Sequence, residues 1–389
     1  MKPKSIYLSN LTPLRGIAAL LVAIFHFEEI GGIFINPSTT MLIGKSYLMV
    51  DLFFIMSGFV MLHVYGDSFM KRLEWKVFFQ FMKARFARLY PLHLFTLLLV
   101  IAVFYGFHNP SNPVNNPAAI PTHLLLLQSF GIHPIFTWNV PSWSISAEWW
   151  AYMVFPLLVL LLGKNKQVAI ALMALLFTML YLAIEYFLPR VNPFVPSLPV
   201  PHNLDVTYDY GFLRGIAGFM AGMVTYTFYQ LKKLTIFFSK DILGIGCILL
   251  VLVAMHVGIN DIFYIPLFML LVLGVAANQQ VIHKICLARP LQYLGDISYS
   301  VYLMHGSLVF FVAIPIITKL GFVSKGPHSL ELPFFTGFCI CIFYLLAVIA
   351  ASSATYYLIE KPCRNWINKK YHKASTNLVA GVIPMIQSS

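Results

Sequence analysis

Residues 11–30 read LTPLRGIAALLVAIFHFEEI, an apolar stretch of the length that spans a bilayer, and they include Arg15 and His26. At about 100° and about 1.5 Å per residue, this pair is offset by about 20° around a helix and separated by about 16 Å along its axis. Ionisable side chains at membrane depth are costly and rare. The stretch therefore predicts a membrane helix with a functional site along one face.

The composition of the whole chain indicates a helical membrane protein. Of its 389 residues, 59% are hydrophobic and 10% are charged, whereas a soluble domain has roughly 25% charged residues. We predict an all-α, polytopic membrane fold. Windows of about 20 apolar residues predict about ten transmembrane helices, near residues 11–30, 46–65, 86–106, 143–162, 168–188, 210–230, 242–258, 262–278, 297–318 and 334–358.

Basic residues predict the orientation of these helices. An even number of spans places both termini on one side, and 20 of the 26 Lys and Arg residues then fall on that side. By the positive-inside rule both termini are cytoplasmic, which accounts for the net charge of +12 without nucleic-acid binding. We predict a multi-pass protein of the cell (inner) membrane, with a membrane domain at 1–371 and a mobile cytoplasmic tail at 372–389.

Two Pro-rich loops, at 108–140 and 189–209, fall on the exported side in this topology and are candidates for an acceptor site. The five cysteines show neither metal-ligand spacing nor a disulfide framework. We therefore expect no metal and no permanently bound cofactor.

The histidine of the first span is a candidate catalytic residue. Imidazole has a pKa near neutrality, which suits a general base that removes a hydroxyl proton. A hydrogen bond to a neighbouring helix explains His26 about equally well on its own. Arg15 on the same face favours a functional interpretation, since a permanent cation can hold an anionic ligand or a buried carboxylate.

Two arginines near the third span form a candidate anion site. Arg85 and Arg88 are three residues apart in KARFARLYPLH, so their guanidinium groups lie on adjacent helical turns and can bind phosphate. Positive-inside anchoring is the simpler explanation for a generic basic pair. Pro91 has little cost if the helix begins near Arg88, and otherwise kinks it.

The segment PSWSISAEWWAYMVFP carries an acid among aromatic residues at the predicted outer entrance of the fourth span. Glu148 could orient an imidazole or bind sugar hydroxyls, with Trp143 and Tyr152 stacking on the sugar ring. An interfacial aromatic belt with one exposed acid is the alternative. Ser144 is a candidate helix cap or ligand contact.

Polar residues in two later spans are candidate channel or acceptor contacts. Ser298, Tyr302 and His305 form one stripe on the ninth span, and hydrogen bonding between helices explains them as well as a channel does. Arg214, near the outer end of the sixth span, needs a carboxylate partner or a hydrated cavity.

Taken in order, these segments resemble the acyltransferase 3 family of integral membrane acyltransferases over about residues 9–367. The resemblance rests on the arginine and histidine of the first span and on five further motifs: DLFFIMSGFVM (51–61), RFARLYP (85–91), WSISAEWWAY (143–152), LGDISYSVYLMH (294–305) and IEKPCRNW (359–366). Trp149 and Trp150 depart from the smaller or polar residues of many members.

The resemblance implies transfer of an acyl group, most often acetyl, from cytoplasmic acyl-CoA to a hydroxyl of a glycan or glycolipid. By position, His26 matches the family's essential histidine and Arg15 its intramembrane partner. Arg85 and Arg88 match its double-arginine motif, and Glu148 matches the acid of its tryptophan-serine motif. A transporter or flippase of a glycan intermediate is the alternative, since it too needs about ten spans and buried polar stripes.

Overall fold

The computed structural model describes residues 8–107, 115–189, 202–322 and 331–369, which are mainly helical and contain no β-strand. The predicted tail at 372–389 lies outside these residues. The helices are α1 (Leu11–His26), α2 (Met49–Phe69), α3 (Trp75–Phe107), α4 (Ile120–Leu124), α5 (Trp143–Lys164), α6 (Lys166–Leu182), α7 (Gly211–Tyr229), α8 (Lys232–Phe238), α9 (Asp241–Val257), α10 (Tyr264–Ala277), α11 (Val281–Cys286), α12 (Arg289–Asp296), α13 (Ser298–Leu308), α14 (Ile314–Lys319) and α15 (Phe334–Thr355).

The all-α polytopic fold is confirmed. Within the described ranges, 7 helical stretches are long and apolar enough to cross a bilayer, and 8 if α8 and α9, bent by 75°, form one span. The other two predicted segments coincide with α7 and the shorter apolar helix that includes α10. The count of ten spans and the cytoplasmic position of both termini remain predictions.

The third helix begins earlier than predicted. We expected a span at 86–106, but α3 starts at Trp75 and continues without interruption to Phe107. The basic segment at its start is rich in Lys, Arg, Gln and Met, which have high helix propensity. Arg85, Arg88 and Pro91 therefore lie inside a helix rather than at its beginning.

Glycines allow α2 and α7 to pack at backbone distance. A Cβ atom on Gly58 would lie 1.9 Å from the carbonyl oxygen of Phe219, and one on Gly222 would lie 2.0 Å from that of Ile55. Small residues permit such close approach between membrane helices. The contact fixes the face of α2 on which the candidate site is built.

The first helix is fixed against α12 in the same way. A Cβ atom on Gly295 would lie 2.0 Å from the carbonyl oxygen of Thr12, and one on Gly16 would lie 2.8 Å from the backbone of Leu294. Arg15 is the neighbour of this contact in sequence. Because α13 follows α12 directly, the close packing of α1 on α12 also sets the position of Arg15 relative to α13.

Three of the π-helical turns lie close to candidate residues. One, Phe27–Gly31, directly follows His26; a second, Val309–Ala313, begins one turn after His305; and a third, Tyr356–Glu360, ends α15. Such turns are rare and occur frequently at functional sites.

Candidate active site

The described helices enclose a cavity of about 260 Å³ between α1, α2, α3, α5 and α13. It contacts α1 only near its beginning, from Leu11 to Arg15, and it reaches Tyr302 on α13. In the predicted topology the lining runs from the cytoplasmic ends of α1 and α13 to Val50 and Ser144, near the predicted outer ends of α2 and α5. The polar and titratable lining residues include Thr12, Arg15, Ser57, His63, Arg85, Arg88, Ser144, Glu148, Tyr152, Ser298, Tyr299 and Tyr302.

The guanidinium group of Arg85 faces this cavity without a counter-ion. It donates to the Tyr65 hydroxyl at 3.0 Å, and it lies 5.2 Å from the centroid of the Tyr65 ring and 5.8 Å from that of Tyr152. Among the described residues no carboxylate lies within 4.0 Å of it, and its buried Nε has no hydrogen-bond partner. The group therefore has both charge and a donor to offer an anion.

Arg88 lines the same cavity but is neutralised by an acid. Its guanidinium donates to Glu360 at 2.7 Å, and the side chain of Glu360 is only 1% exposed. Ser300 donates to the other carboxylate oxygen at 2.9 Å. The two arginines of the motif thus differ in their contacts, because Arg88 also joins α3 to the end of α15.

Arg15 lies at the start of α1 and is partly buried, with its guanidinium 3.5 Å from the Thr12 hydroxyl. It faces the same cavity as Arg85, which brings cations from two helices to one space.

Glu148 is half-buried and lines the cavity between helices. The first turns of α5 are buried, and Ser57 donates to the Glu148 carboxylate at 2.7 Å while the Tyr152 hydroxyl donates to the same oxygen. The aromatic-belt alternative does not describe this position, because the acid lines a cavity between helices. Trp150 instead donates its indole N–H to the carbonyl of Leu126 at 2.8 Å.

The histidine of α1 contacts a second histidine on α13. The ring centroids of His26 and His305 are 5.0 Å apart, and the Tyr302 ring lies 5.6 Å from that of His305. His26 does not line the cavity, which ends at Tyr302 and Phe53, whose rings are 5.8 Å apart. The stripe of Ser298, Tyr302 and His305 on α13 therefore runs from the arginine-lined cavity to the contact with His26. The rings of Tyr302 and Phe53 lie between the cavity and the two imidazoles.

A backbone carbonyl fixes the tautomer of His26. Its Nδ1 lies 3.0 Å from the carbonyl oxygen of Val22, which can only accept a hydrogen bond. Nδ1 therefore carries the hydrogen, and in the neutral ring Nε2 is left as an acceptor. A general base needs such a nitrogen.

Arg214 has a carboxylate partner, as expected for an arginine within a span. Arg214 itself does not line the cavity. Its fully buried guanidinium donates to both oxygens of Asp51, at 2.6 Å for the shortest contact, and to the Tyr47 carbonyl at 3.2 Å. The guanidinium carbon lies 5.4 Å from the centroid of the Trp143 ring. Arg214 and Trp143 therefore do not line this cavity, and their contact with a channel or acceptor stays a prediction.

Residues 115–142 cover the start of α5 and include a buried histidine. His123 in α4 is 1% exposed, and its Nε2 lies 2.8 Å from the Thr137 hydroxyl. Burial, followed by the charges of His93 and His133, lowers the pKa of His123 from 6.5 to about 3. The folded protein therefore keeps this ring neutral at physiological pH.

This pKa predicts acid lability. Below about pH 6.5 the unfolded ring binds a proton and the folded ring does not, so the free energy of unfolding should fall toward pH 3 by up to about 1.4 kcal/mol per pH unit. Thermal unfolding of the wild type and His123→Gln between neutral and mildly acidic pH measures how steeply the stability of each protein changes with pH, and we expect the steeper change in the wild type. The exposed His256→Gln is the control, and equal slopes for all three proteins would contradict the prediction.

Sequence reasoning missed several partners in this site. Contacts to the candidate residues come from Ser57, Tyr65, Tyr299 and Glu360. Three of these, Ser57, Tyr299 and Glu360, lie in the motifs quoted above, whereas Tyr65 lies in none.

The site thus belongs to a multi-pass membrane protein with a buried, arginine-lined cavity that leads toward a histidine. The sequence model of the acyltransferase 3 family, described as an acyltransferase domain, matches residues 9–356. The chain belongs to this family, as its motifs predicted.

Curated relatives agree with this assignment. The chain is 32% identical over 169 residues, 40% of each chain, to the acyltransferase MdmB of Streptomyces mycarofaciens. It is 24% identical over 336 residues to the O-acetyltransferase OatA of Staphylococcus aureus. This match covers 79% of this chain and 51% of the relative. A third match, protein 2 in the picA locus of Rhizobium radiobacter, is 44% identical over 94 residues, 24% of this chain and 44% of the relative. The matches thus span about half the length of these relatives or less. No solved structure shows a significant match.

Proposed function

We propose that this membrane acyltransferase moves an acyl group, acetyl in the first instance, from cytoplasmic acyl-CoA to a hydroxyl of a cell-envelope or exported glycan or glycolipid. Its proposed location is the inner membrane. The observation that carries the proposal is the uncompensated guanidinium of Arg85 in a cavity that extends toward the imidazoles of α1 and α13. A donor with phosphate groups and a long thioester arm has the chemistry to occupy such a space.

In this mechanism Arg85 binds a phosphate of CoA, with Arg15 adding positive charge, and the pantetheine arm extends along the cavity past Ser298. Tyr302 and Phe53 must turn aside for the thioester to reach His26. His26 then deprotonates the acceptor hydroxyl for direct attack, or accepts the acyl group itself and passes it on. Glu148 lies beside this path, held by Ser57 and Tyr152.

A test on purified full-length protein separates transfer from transport. A glycan transporter has no need to cleave a thioester, whereas the proposed enzyme releases free CoA in proportion to the ester formed. Release of CoA without an acetylated product, or no release with any acceptor, would contradict the proposal. Comparing the masses of envelope glycans from cells with and without the gene would then identify the acceptor.

The two arginines of the motif should respond differently to substitution. Arg85→Gln removes a charged donor to phosphate, so we expect acetyl-CoA affinity to fall about tenfold to a hundredfold with little change in stability. Arg88→Gln leaves the buried carboxylate of Glu360 with only the more distant Arg364, at 3.8 Å, so its main effect should be lower stability. Acetyl-CoA titration and thermal unfolding measure the two effects.

Lys83→Gln is the matched control for Arg85→Gln, because it removes the same charge from the same helix at a position that does not line the cavity. Restored stability in the double variant Arg88→Gln with Glu360→Gln would confirm the role of the ion pair. Unchanged acetyl-CoA affinity in Arg85→Gln would remove Arg85 from the donor site.

A further inference from the structure

The two contacting histidines have the same hydrogen-bond arrangement. Like His26, His305 has its Nδ1 near the carbonyl oxygen of the residue one turn earlier, Val301, at 3.3 Å. Each Nδ1 therefore carries a hydrogen, and each Nε2 is an acceptor in the neutral ring. Among the described residues neither ring has a carboxylate within 4.0 Å.

The Nε2 atom of His305 is the unexplained part of this pair. The residue is 0% exposed, and its Nε2 has no hydrogen-bond partner among the described residues. A buried acceptor left without a donor costs about 1–3 kcal/mol, so native proteins rarely retain one without a function. The ring of His26, which contacts that of His305, is by contrast partly exposed.

The two rings lie with their centroids 5.0 Å apart, so a ligand that binds both Nε2 acceptors must supply two donors. A single alcohol has one hydrogen and can satisfy only one Nε2 atom. A vicinal diol has two hydroxyls about one hydrogen-bond length apart and can donate to both rings at once.

We infer that His26 and His305 together bind a vicinal diol, one hydroxyl to each Nε2 atom; this inference rests on the proposed function and narrows its acceptor to sugars with adjacent free hydroxyls. The hydroxyl on His26 reacts and the hydroxyl on His305 is anchored. The reacting oxygen bonds to the thioester carbonyl carbon as its proton moves to His26. The carbon–sulfur bond breaks, and the departing thiolate takes that proton to give free CoA. His305 gains and loses no proton.

Small membrane-permeant probes test this inference with acetyl-CoA as donor. Trans-cyclohexane-1,2-diol and cyclohexanol differ by one hydroxyl, and ester formation is followed by mass spectrometry on the purified full-length protein. In the wild type we expect kcat/KM to be about tenfold to a hundredfold higher for the diol, beyond the statistical advantage of a second hydroxyl. In His305→Phe the two probes should react at similar rates, because the second hydroxyl has lost its acceptor.

Conservative variants distinguish recognition from packing. The amide oxygen of Gln reaches the position of Nε2, so His305→Gln should keep part of the preference for the diol. Asn is shorter, and His305→Asn should lose the preference. The acetyl-CoA affinity of each variant is measured first, and an unchanged affinity shows that its donor site is folded. The exposed His256→Phe is the control.

The outcomes separate this inference from the proposed function. A wild type without preference for the diol, or a His305→Phe variant that retains it, overturns the inference alone. If the wild type acetylates neither probe, the diol site is also overturned, whereas the proposed function is judged separately by acetylation of the cell's own glycans. If those glycans are unaffected by the gene and no CoA is released, the proposed function fails and the inference fails with it.

Discussion

His26→Ala should reduce acyl transfer about a hundredfold to ten-thousandfold, the usual contribution of a positioned general acid or base. The ring is held by the Val22 carbonyl so that Nε2 accepts, and it lies at the end of the polar stripe that begins at the arginine-lined cavity. Because His26 does not line that cavity, acetyl-CoA affinity should change little. Initial rates with saturating acetyl-CoA and a donor titration measure the two effects.

The exposed His256→Ala is the control, since it removes an imidazole from α9 at a position that does not line the cavity. Normal acylation by His26→Ala would exclude both direct transfer and an acyl-enzyme. Labelled acetyl-CoA supplied without acceptor distinguishes these routes, because only an acyl-enzyme leaves label on His26. In the wild type, label on this residue that is lost on adding acceptor would support the covalent route.

The sequence predicted the fold class more readily than the contacts between candidate residues. The apolar stretch around Arg15 and His26 forms a helix as expected, because length and hydropathy are local properties of the sequence. The stripe of Ser298, Tyr302 and His305 faces the interior, since helical periodicity sets the face on which a residue lies.

Contacts between distant segments were not available from local patterns. Arg88 and Glu360 are 272 residues apart, and nothing in either motif indicated that one neutralises the other. The same holds for His26 and His305, whose contact depends on how α12 packs against α1 through glycine. The spacing of Arg85 and Arg88 predicted the same anion-binding function for both. Their surroundings differ, because Arg88 is paired with Glu360 and Arg85 has no carboxylate within 4.0 Å among the described residues.

The position of Glu148 illustrates a second limit. Its flanking tryptophans were consistent with an interfacial belt, because aromatic residues favour the membrane surface. Residues 115–142, however, cover the start of α5 and bury that end of the helix. A hydropathy pattern does not record which loop covers a helix end.

The largest effect on stability should come from breaking the ion pair between Asp51 and Arg214. Both side chains are 0% exposed, and the pair joins α2 to α7 at the helices that pack through glycine. Asp51→Ala leaves the buried guanidinium with only the partly exposed carboxylate of Asp205, at 3.6 Å, and Arg214→Met leaves the buried carboxylate of Asp51 without its cation. Each should lower the free energy of unfolding by about 3–5 kcal/mol. Tryptophan fluorescence during thermal unfolding in detergent measures this change.

A double variant separates the cost of an unpaired charge from the value of the pair itself. Replacing a buried ion pair by apolar residues of similar volume is often nearly neutral, so Asp51→Leu with Arg214→Met should recover much of the stability that either single change loses. Arg72→Gln is the matched control, because its pair with Glu74 is exposed and exposed pairs contribute little. Single variants as stable as the wild type would show that the pair does not hold α2 against α7. A double variant that recovers stability but loses acyl transfer would instead mean that the pair orients Ser57, on the next turns of α2, toward Glu148.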